Sequence, residues 1–144
     1  MSYPTLPPVT SILLVDDDAM PRHITARLLR EEGFYVVEAA GCGEAMDKLR
    51  ASHDRVDLAM LDVVMPDCDG LSLAKDILRH WPDQRILFMS AYPEEVLMQH
   101  GLDAFEAPFL TKPYSHSQLL AKVHSALAQA PRSAPPVAQP DEQP

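Results

Sequence analysis

Thirteen residues constrain this chain more than any others: Leu58-Ala59-Met60-Leu61-Asp62-Val63-Val64-Met65-Pro66-Asp67-Cys68-Asp69-Gly70. Four apolar residues run directly into a carboxylate. Such a run reads as a strand buried on both faces, which favours a parallel sheet. Met65-Pro66 prevents the strand from continuing, because proline has no ladder donor. Asp69 is placed to cap a helix that begins at Leu71. Asp62 therefore stands at the C-terminal end of a central strand, the edge at which open α/β sheets bind ligands. A lone acid there is most simply a helix cap. Asp69 already fills that role, so Asp62 is left spare.

The rest of the chain repeats the pattern. Ile12-Leu13-Leu14-Val15 is an apolar strand ending in Asp16-Asp17-Asp18. A helix follows, with Asp18 as N-cap, Pro21 in its first turn and a Met20, Ile24, Leu28 stripe expected to pack inward. Gly33 stops it and Phe34 can fold back on its last turn. Tyr35 to Ala39 is a second strand. Gly41 and Gly43 mark a turn before a helix carrying Ala45, Met46 and Leu49. The third strand spans Val56 to Leu61. Leu71, Ala74, Ile77, Leu78 and Trp81 form the next helical stripe, ended by Pro82. Arg85 to Met89 is a strand ending in Ser90, and Glu94 to His100 is a short helix closed by Gly101. Ala107 to Thr111 is a fifth strand, ending in Lys112-Pro113. Ser115 and Gln118 have capping-box spacing, ahead of a stripe of Leu119, Leu120, Val123 and Leu127. Five alternations of strand and helix predict a doubly wound α/β domain with a five-stranded parallel sheet over residues 11–129. Residues 1–10 read as an extended lead-in and residues 130–144 as a Pro-rich disordered tail.

Composition narrows the function. The chain of 144 residues is long enough for one domain with a real core, and 47% of it is hydrophobic. The net charge is -9, from 21 acids against 12 Lys plus Arg, which argues against nucleic acid and anionic membranes as partners. No apolar run approaches the roughly 18 residues of a membrane span, and the N-terminus lacks the character of a secretory signal. Cys42 and Cys68, the two cysteines, suggest no disulfide framework, which fits a reducing cytoplasm. The six histidines (His23, His53, His80, His100, His116 and His124) show no metal-ligand spacing and read as surface residues.

In a parallel sheet all strand C-termini share one edge, so Asp16-Asp17, Asp62, Ser90 and Lys112 converge. Three carboxylates brought together repel one another and call for cations. Lys112 supplies one charge, and an oxygen-seeking divalent ion, Mg²⁺, is expected to supply the rest. The set suits phosphoryl transfer, with Asp62 as nucleophile and the metal, Lys112 and the Ser90 hydroxyl stabilising charge on the transferring oxygens. Each piece alone has a bland reading: the acid pair as a cap, Ser90 and Lys112-Pro113 as turn residues. Their order at successive strand ends does not.

These segments carry a resemblance. Ile12 to Asp17, Leu61 to Gly70, Met89-Ser90-Ala91 and Phe109-Leu110-Thr111-Lys112-Pro113 resemble the receiver domain of two-component response regulators, related in fold to the chemotaxis regulator. The resemblance implies a flavodoxin-like fold with sheet order 2-1-3-4-5. It implies that a phosphohistidine on a sensor histidine kinase or histidine phosphotransfer protein donates to Asp62. It implies Mg²⁺ held by Asp17 and Asp62 directly, by the Val64 carbonyl, and by Asp16 through water. It implies a cis bond before Pro113. Ser90 stands at the switch hydroxyl, where the family more often has Thr, and Phe109 at the aromatic switch, where a Tyr hydroxyl is often found. An output face on the fourth helix, fifth strand and fifth helix would bind a downstream protein. A cytoplasmic monomer or weak homodimer is expected, with no enzymatic turnover beyond its own phosphorylation and dephosphorylation.

Three rival readings bear on the same residues. A Mg²⁺-dependent phosphatase of the haloacid dehalogenase type also uses a strand-end Asp, but needs a second Asp two residues on, where this chain has Val64. A receiver fragment of a hybrid sensor kinase would share all the motifs, although a start at Met1 and a free tail favour a separate chain. A receiver-like module that is never phosphorylated would not need the full acid set and Lys112. Val64 and Tyr92 are placed to border the water that would hydrolyse a phosphoryl group on Asp62, and neither can orient one.

Overall fold

A computed structural model describes residues 9–52 and 56–129. Residues 1–8 of the lead-in, His53 and the tail from 130 lie outside the described residues. The elements run β1 (Ser11–Val15), α1 (Ala19–Glu31), β2 (Tyr35–Ala39), α2 (Cys42–Ala51), β3 (Leu58–Asp62), α3 (Gly70–His80), β4 (Ile86–Ser90), α4 (Glu94–Gln99), a 3₁₀ turn (Leu102–Phe105), β5 (Phe109–Thr111) and α5 (His116–Ala128). The five strands are parallel and ordered β2-β1-β3-β4-β5.

β3 and β4 are buried at every position, as continuous apolar runs in a covered parallel sheet should be. One face carries Leu13, Val15, Ala59, Leu61 and Phe88 against α2, α3 and Leu97 of α4. The other carries Ile12, Leu14, Leu58, Met60, Leu87 and Met89 against α1 and α5. Burying each of the large side chains contributes roughly 1.5–3 kcal/mol, so the central strands anchor the domain. The helices end as local chemistry dictates. α1 closes in a Schellman motif, with Gly33 at φ 98° and the Phe34 amide donating to the Leu29 carbonyl at 3.2 Å. Asp69 accepts from the Leu71 and Ser72 amides at the start of α3, and Ser115 and Gln118 form the capping box of α5.

Several sequence readings need correction. Met20 and Ile24 are exposed, at 69% and 53%, and the inward face of α1 is Thr25, Ala26 and Leu29. The helix begins at Ala19 and is phased by its packing on the sheet, so Met20 and Ile24 point to solvent while Leu28 is half-buried against the core. Asp18 stands at the N-cap but makes no side-chain cap bond; its own amide donates to Asp16 Oδ1 at 2.9 Å. Gly43 lies inside α2 rather than in a turn. β3 starts at Leu58, not Val56, and includes Asp62; β4 and β5 start one and two residues later than read. The 3₁₀ turn after α4 was not foreseen.

The largest correction concerns the cysteines. Cys42 and Cys68 form a disulfide, with Cα atoms 6.3 Å apart across 26 residues of sequence. Cys42 opens α2 and Cys68 precedes the cap of α3. Both helices cover the same face of the sheet, so their starts meet there. Sequence spacing does not reveal such a meeting, and cysteine usage no longer argues for a reducing compartment.

The hairpin after Asp62 is the tightest place in the fold. The Gly70 amide donates to the Val63 carbonyl at 2.7 Å, and Val64 and Asp69 form an antiparallel bridge. A Cβ on Gly70 would meet the Asp62 carbonyl oxygen and come within 2.9 Å of Val63 Cα, both of them backbone atoms. Gly70→Ala should therefore destabilise by about 1–3 kcal/mol, as overpacking does. Gly43→Ala, with nothing within 4 Å of its Cβ position in α2, should be neutral or stabilise by up to ~1 kcal/mol. Urea midpoints of the two variants check both signs.

Candidate functional site

Register brings the chemistry to one edge. Val15 pairs with Ala39 and Leu61, Asp62 with Met89, and Ser90 with Thr111. The residues just past β1, at the ends of β3 and β4, and just past β5 are therefore neighbours at the C-terminal edge. β1 lies at the point where the strand order reverses, the place where a crevice opens in such sheets. A cavity of about 540 Å³ lies here, its wall including Asp16, Asp17, Asp62, Ala91, Lys112 and Tyr114.

Carboxylate oxygens of Asp16, Asp17 and Asp62 lie within 4.8 Å of one another. Asp16 and Asp62 are buried and Asp17 is exposed. Lys112 Nζ donates to Asp16 Oδ2 at 2.8 Å and to Asp62 Oδ2 at 3.4 Å. Asp16 is engaged further: its Oδ1 accepts from the Asp18 amide, its carbonyl from Arg22 Nη1 at 2.8 Å, and its amide donates to the Ala39 carbonyl at 3.1 Å. Arg22 also reaches Glu38 on β2 at 3.1 Å, which pins the start of α1 to the sheet. Ser90 is buried, and its Oγ accepts from the Tyr92 amide at 3.0 Å. The Lys112-Pro113 bond is cis. Phe109 is buried within the core, and Val64 and Tyr92 are exposed, at 43% and 51%.

The structure thus brings Asp16, Asp17, Asp62 and Lys112 together, with Ser90 at the end of the adjoining strand. It adds two residues that sequence reasoning missed. Thr25 Oγ1 and the Tyr114 hydroxyl share a hydrogen bond of 2.7 Å, joining α1 to the turn after Lys112. Thr25 was hidden by the apolar stripe beside it. Tyr114 had one signal, its place directly after Lys112-Pro113.

Burial pushes the Asp62 carboxyl up to about 6, against the pull of Lys112, and the nearby Asp16 and Asp17 add to the rise. Burial pulls the Lys112 ammonium down, but its hydrogen bond to Asp16 and the charges of Asp62 and Asp16 outweigh it, leaving the group above its ordinary value. Burial also raises the Tyr114 phenol, against the Thr25 hydrogen bond and Lys112. One ammonium among three carboxylates leaves the cluster short of positive charge. An all-oxygen donor set of this kind fits a hard divalent cation.

The raised Asp62 group has a signed consequence for stability. Between the usual carboxylate range and pH ~6 the folded chain holds this proton more tightly than the unfolded chain. This group's contribution to stability is fully present below its ordinary value near 3.8 and is lost as pH rises through about 6. Asp62→Asn removes the cost. In the metal-free protein it should raise the melting temperature at pH 7, and the gain should shrink towards pH 4. Thermal melts in chelator across that range check it.

Known proteins resemble this chain in sequence and fold. The family model described as the response regulator receiver domain matches residues 12–124. The sensor kinase CckA of Brucella abortus is 33% identical over 117 residues, which are 81% of this chain and 12% of that protein. The transcriptional regulatory protein PdtaR of Mycobacterium tuberculosis is 33% identical over 120 residues, 82% of this chain and 57% of that one. The chain thus spans less than two thirds of these curated relatives. Among solved structures, a CheY-like receiver domain protein from Methanospirillum hungatei superposes with a TM-score of 0.74 at 28% identity, covering 83% of this chain and 94% of that one. The response regulator TrrA from Thermotoga maritima, solved in complex with Mg²⁺ and BeF, gives 0.71 at 28% identity, over 82% of this chain and 99% of that one. With its five parallel strands in the order β2-β1-β3-β4-β5 and its acids gathered at their C-terminal edge, this chain belongs to the response regulator receiver domain family of two-component systems.

Proposed function

We propose that Asp62 is the phosphoacceptor of a two-component phosphorelay. The observation that carries this is the seating of Asp62: buried at the end of the central strand, 3.4 Å from Lys112 and beside the acid pair. The donor is a phosphohistidine on a sensor histidine kinase or a histidine phosphotransfer protein. An Asp62 carboxylate oxygen bonds to phosphorus as the P–N bond breaks, and the imidazole leaves with the electron pair. Lys112 faces the carboxylate edge and offsets charge on the phosphoryl oxygens. The Ser90 hydroxyl, at the end of β4, turns towards the loaded group, and Phe109 repacks with it as the switch.

Mg²⁺ fits the acid cluster, as the Mg²⁺-bound TrrA relative supports. When bound, it neutralises charge that would otherwise oppose transfer between two anions. Asp17 and Asp62 would hold it directly, together with the Val64 carbonyl, and Asp16 would act through water. The double engagement of the Asp16 carboxylate by Lys112 and the Asp18 amide supports that outer role.

The output is a protein contact on the face of α4, β5 and α5. A second cavity of about 420 Å³ there, lined by Glu94, Phe109 and Lys122 among others, supports this face. A net charge of -9 speaks against DNA as the reader. The chain acts on its own phosphorylation state and not on a free substrate. A cytoplasmic setting follows from a kinase fed by ATP, and among the described residues no helix is long and apolar enough to cross a membrane. The likeness to CckA favours a second setting for the same chemistry, a receiver within a hybrid kinase.

Acetyl phosphate with Mg²⁺ should add one phosphoryl group to the wild type, read by intact mass, and none to Asp62→Asn. Full labelling of that variant would remove Asp62 from the role. Asp17→Asn should raise the Mg²⁺ concentration needed for labelling by on the order of tenfold, the loss of one direct ligand. The exposed side chains of Val64 and Tyr92 offer no carboxylate or amide to align water. Val64→Asn combined with Tyr92→Glu should shorten the phosphoryl lifetime by up to the order of 10²-fold that alignment is worth. Decay after donor removal, at constant Mg²⁺, measures it.

A further inference from the structure

The disulfide lies against the very loop that follows Asp62. Cys68 sits in the hairpin between β3 and α3, between the exposed Asp67 and the cap Asp69. The hairpin's own hydrogen bonds, Gly70 to Val63 and the Val64–Asp69 bridge, hold its base. The bond to Cys42 adds a tie of another kind, from the hairpin's far side to the first residue of α2. Cys42 Sγ also lies 3.9 Å from the Asp69 carbonyl oxygen, so both ends of the bridge touch the segment leading into α3.

We propose that Cys42 and Cys68 are a reversible thiol–disulfide pair, a redox modification site whose closure stiffens the Asp62 hairpin and speeds loading of the site. This rests on Asp62 being the phosphoacceptor. Both cysteines are half-buried, within reach of small thiols, and they are the two cysteines of the whole chain, so oxidation within one molecule has a single product. Cys42 opens a ten-residue helix, where the positive end of the backbone dipole favours a thiolate. It is the attacking sulfur. A disulfide in a chain that works beside a cytoplasmic kinase is more often a redox sensor than a permanent strut.

The oxidant is a small-molecule disulfide of the glutathione class. The Cys42 thiolate attacks one of its sulfurs, forming a mixed disulfide and releasing one small thiolate. The Cys68 thiolate then attacks the Cys42 sulfur and releases the second. Two protein thiols lose two electrons and two protons, and one small disulfide becomes two small thiols. The reverse exchange reopens the pair. The closed form carries the hairpin, with the Val64 carbonyl in it, already held in place. The open form keeps the backbone bonds at the base of the hairpin but lacks the tie at Cys68, so the residues beyond the base must settle when metal and phosphoryl arrive, which slows loading and weakens Mg²⁺ binding on the order of fivefold, the scale of a modest loss of preorganisation.

The test uses the full chain equilibrated in graded mixtures of reduced and oxidised glutathione. Alkylation after acid quenching and intact mass count the free thiols, acetyl phosphate labelling gives the loading rate, and calorimetry gives Mg²⁺ affinity. Two thiols should appear together as one two-electron step. The oxidised wild type should load faster and bind Mg²⁺ more tightly than the reduced wild type, which needs no variant and so no question of misfolding. Cys42→Ser and Cys68→Ser should match the reduced wild type in every mixture. Equal loading and equal Mg²⁺ affinity in the two redox forms would overturn the proposal, as would thiols that cannot be exchanged while the chain is folded. A chain that takes no label in either form would overturn the Asp62 reading instead, and the Mg²⁺ and thiol measurements would then decide the pair on their own.

Discussion

The contact of Lys112 with Asp16 and Asp62 is the interaction on which the site depends. Two of the three carboxylates are buried, and a buried carboxylate without a partner is costly. The ammonium makes the cluster tolerable without making it comfortable, and Asp62 is left with a carboxyl pushed up to about 6. That residual discomfort is useful. It leaves the cluster short of positive charge, which is the condition a divalent cation would relieve. A fully neutralised cluster would be more stable and would have less reason to bind anything.

Everything around this contact serves to aim it. Lys112 leaves the sheet at the end of β5, and the turn that follows it is fastened to α1 by the Thr25–Tyr114 hydrogen bond. Asp16 leaves at the end of β1 and is held by Arg22 and the Asp18 amide. Thus α1 braces both partners of the ion pair, one through a hydroxyl and one through a guanidinium. The two apolar layers of the sheet set the distances between strand ends, and the helix α1 sets the orientations of what projects from them.

The strand alternation, the parallel sheet and the acid–lysine constellation were legible because they depend on short apolar runs and on what ends them. Asp62, Asp16 and Lys112 could be placed on one edge from topology alone. What escaped the sequence had a common cause. Met20 and Ile24 showed helical spacing, but spacing does not say which side of a helix meets the sheet. Thr25 is buried where a polar side chain gives no apolar signal, and its partner Tyr114 lies 89 residues away. Cys42 and Cys68 belong to separate elements, and their pairing depends on two helix starts lying side by side. Each miss is a fact about the relative position of elements, which local pattern does not contain.

The hairpin between Asp62 and Gly70 separates two kinds of freedom. Its base is closed by backbone hydrogen bonds, and Gly70 lies too close to the Asp62 and Val63 backbone to admit even a methyl group. Its tip at Pro66 and Asp67 is open to solvent. Side chains at the tip can therefore change with little consequence, while the number of residues cannot. One residue more or fewer would break the register of the Gly70–Val63 bond and the Val64–Asp69 bridge that close the base. The loop is thus free in composition and fixed in length, and a lineage of such chains could vary what it displays there without moving the carboxylate it protects.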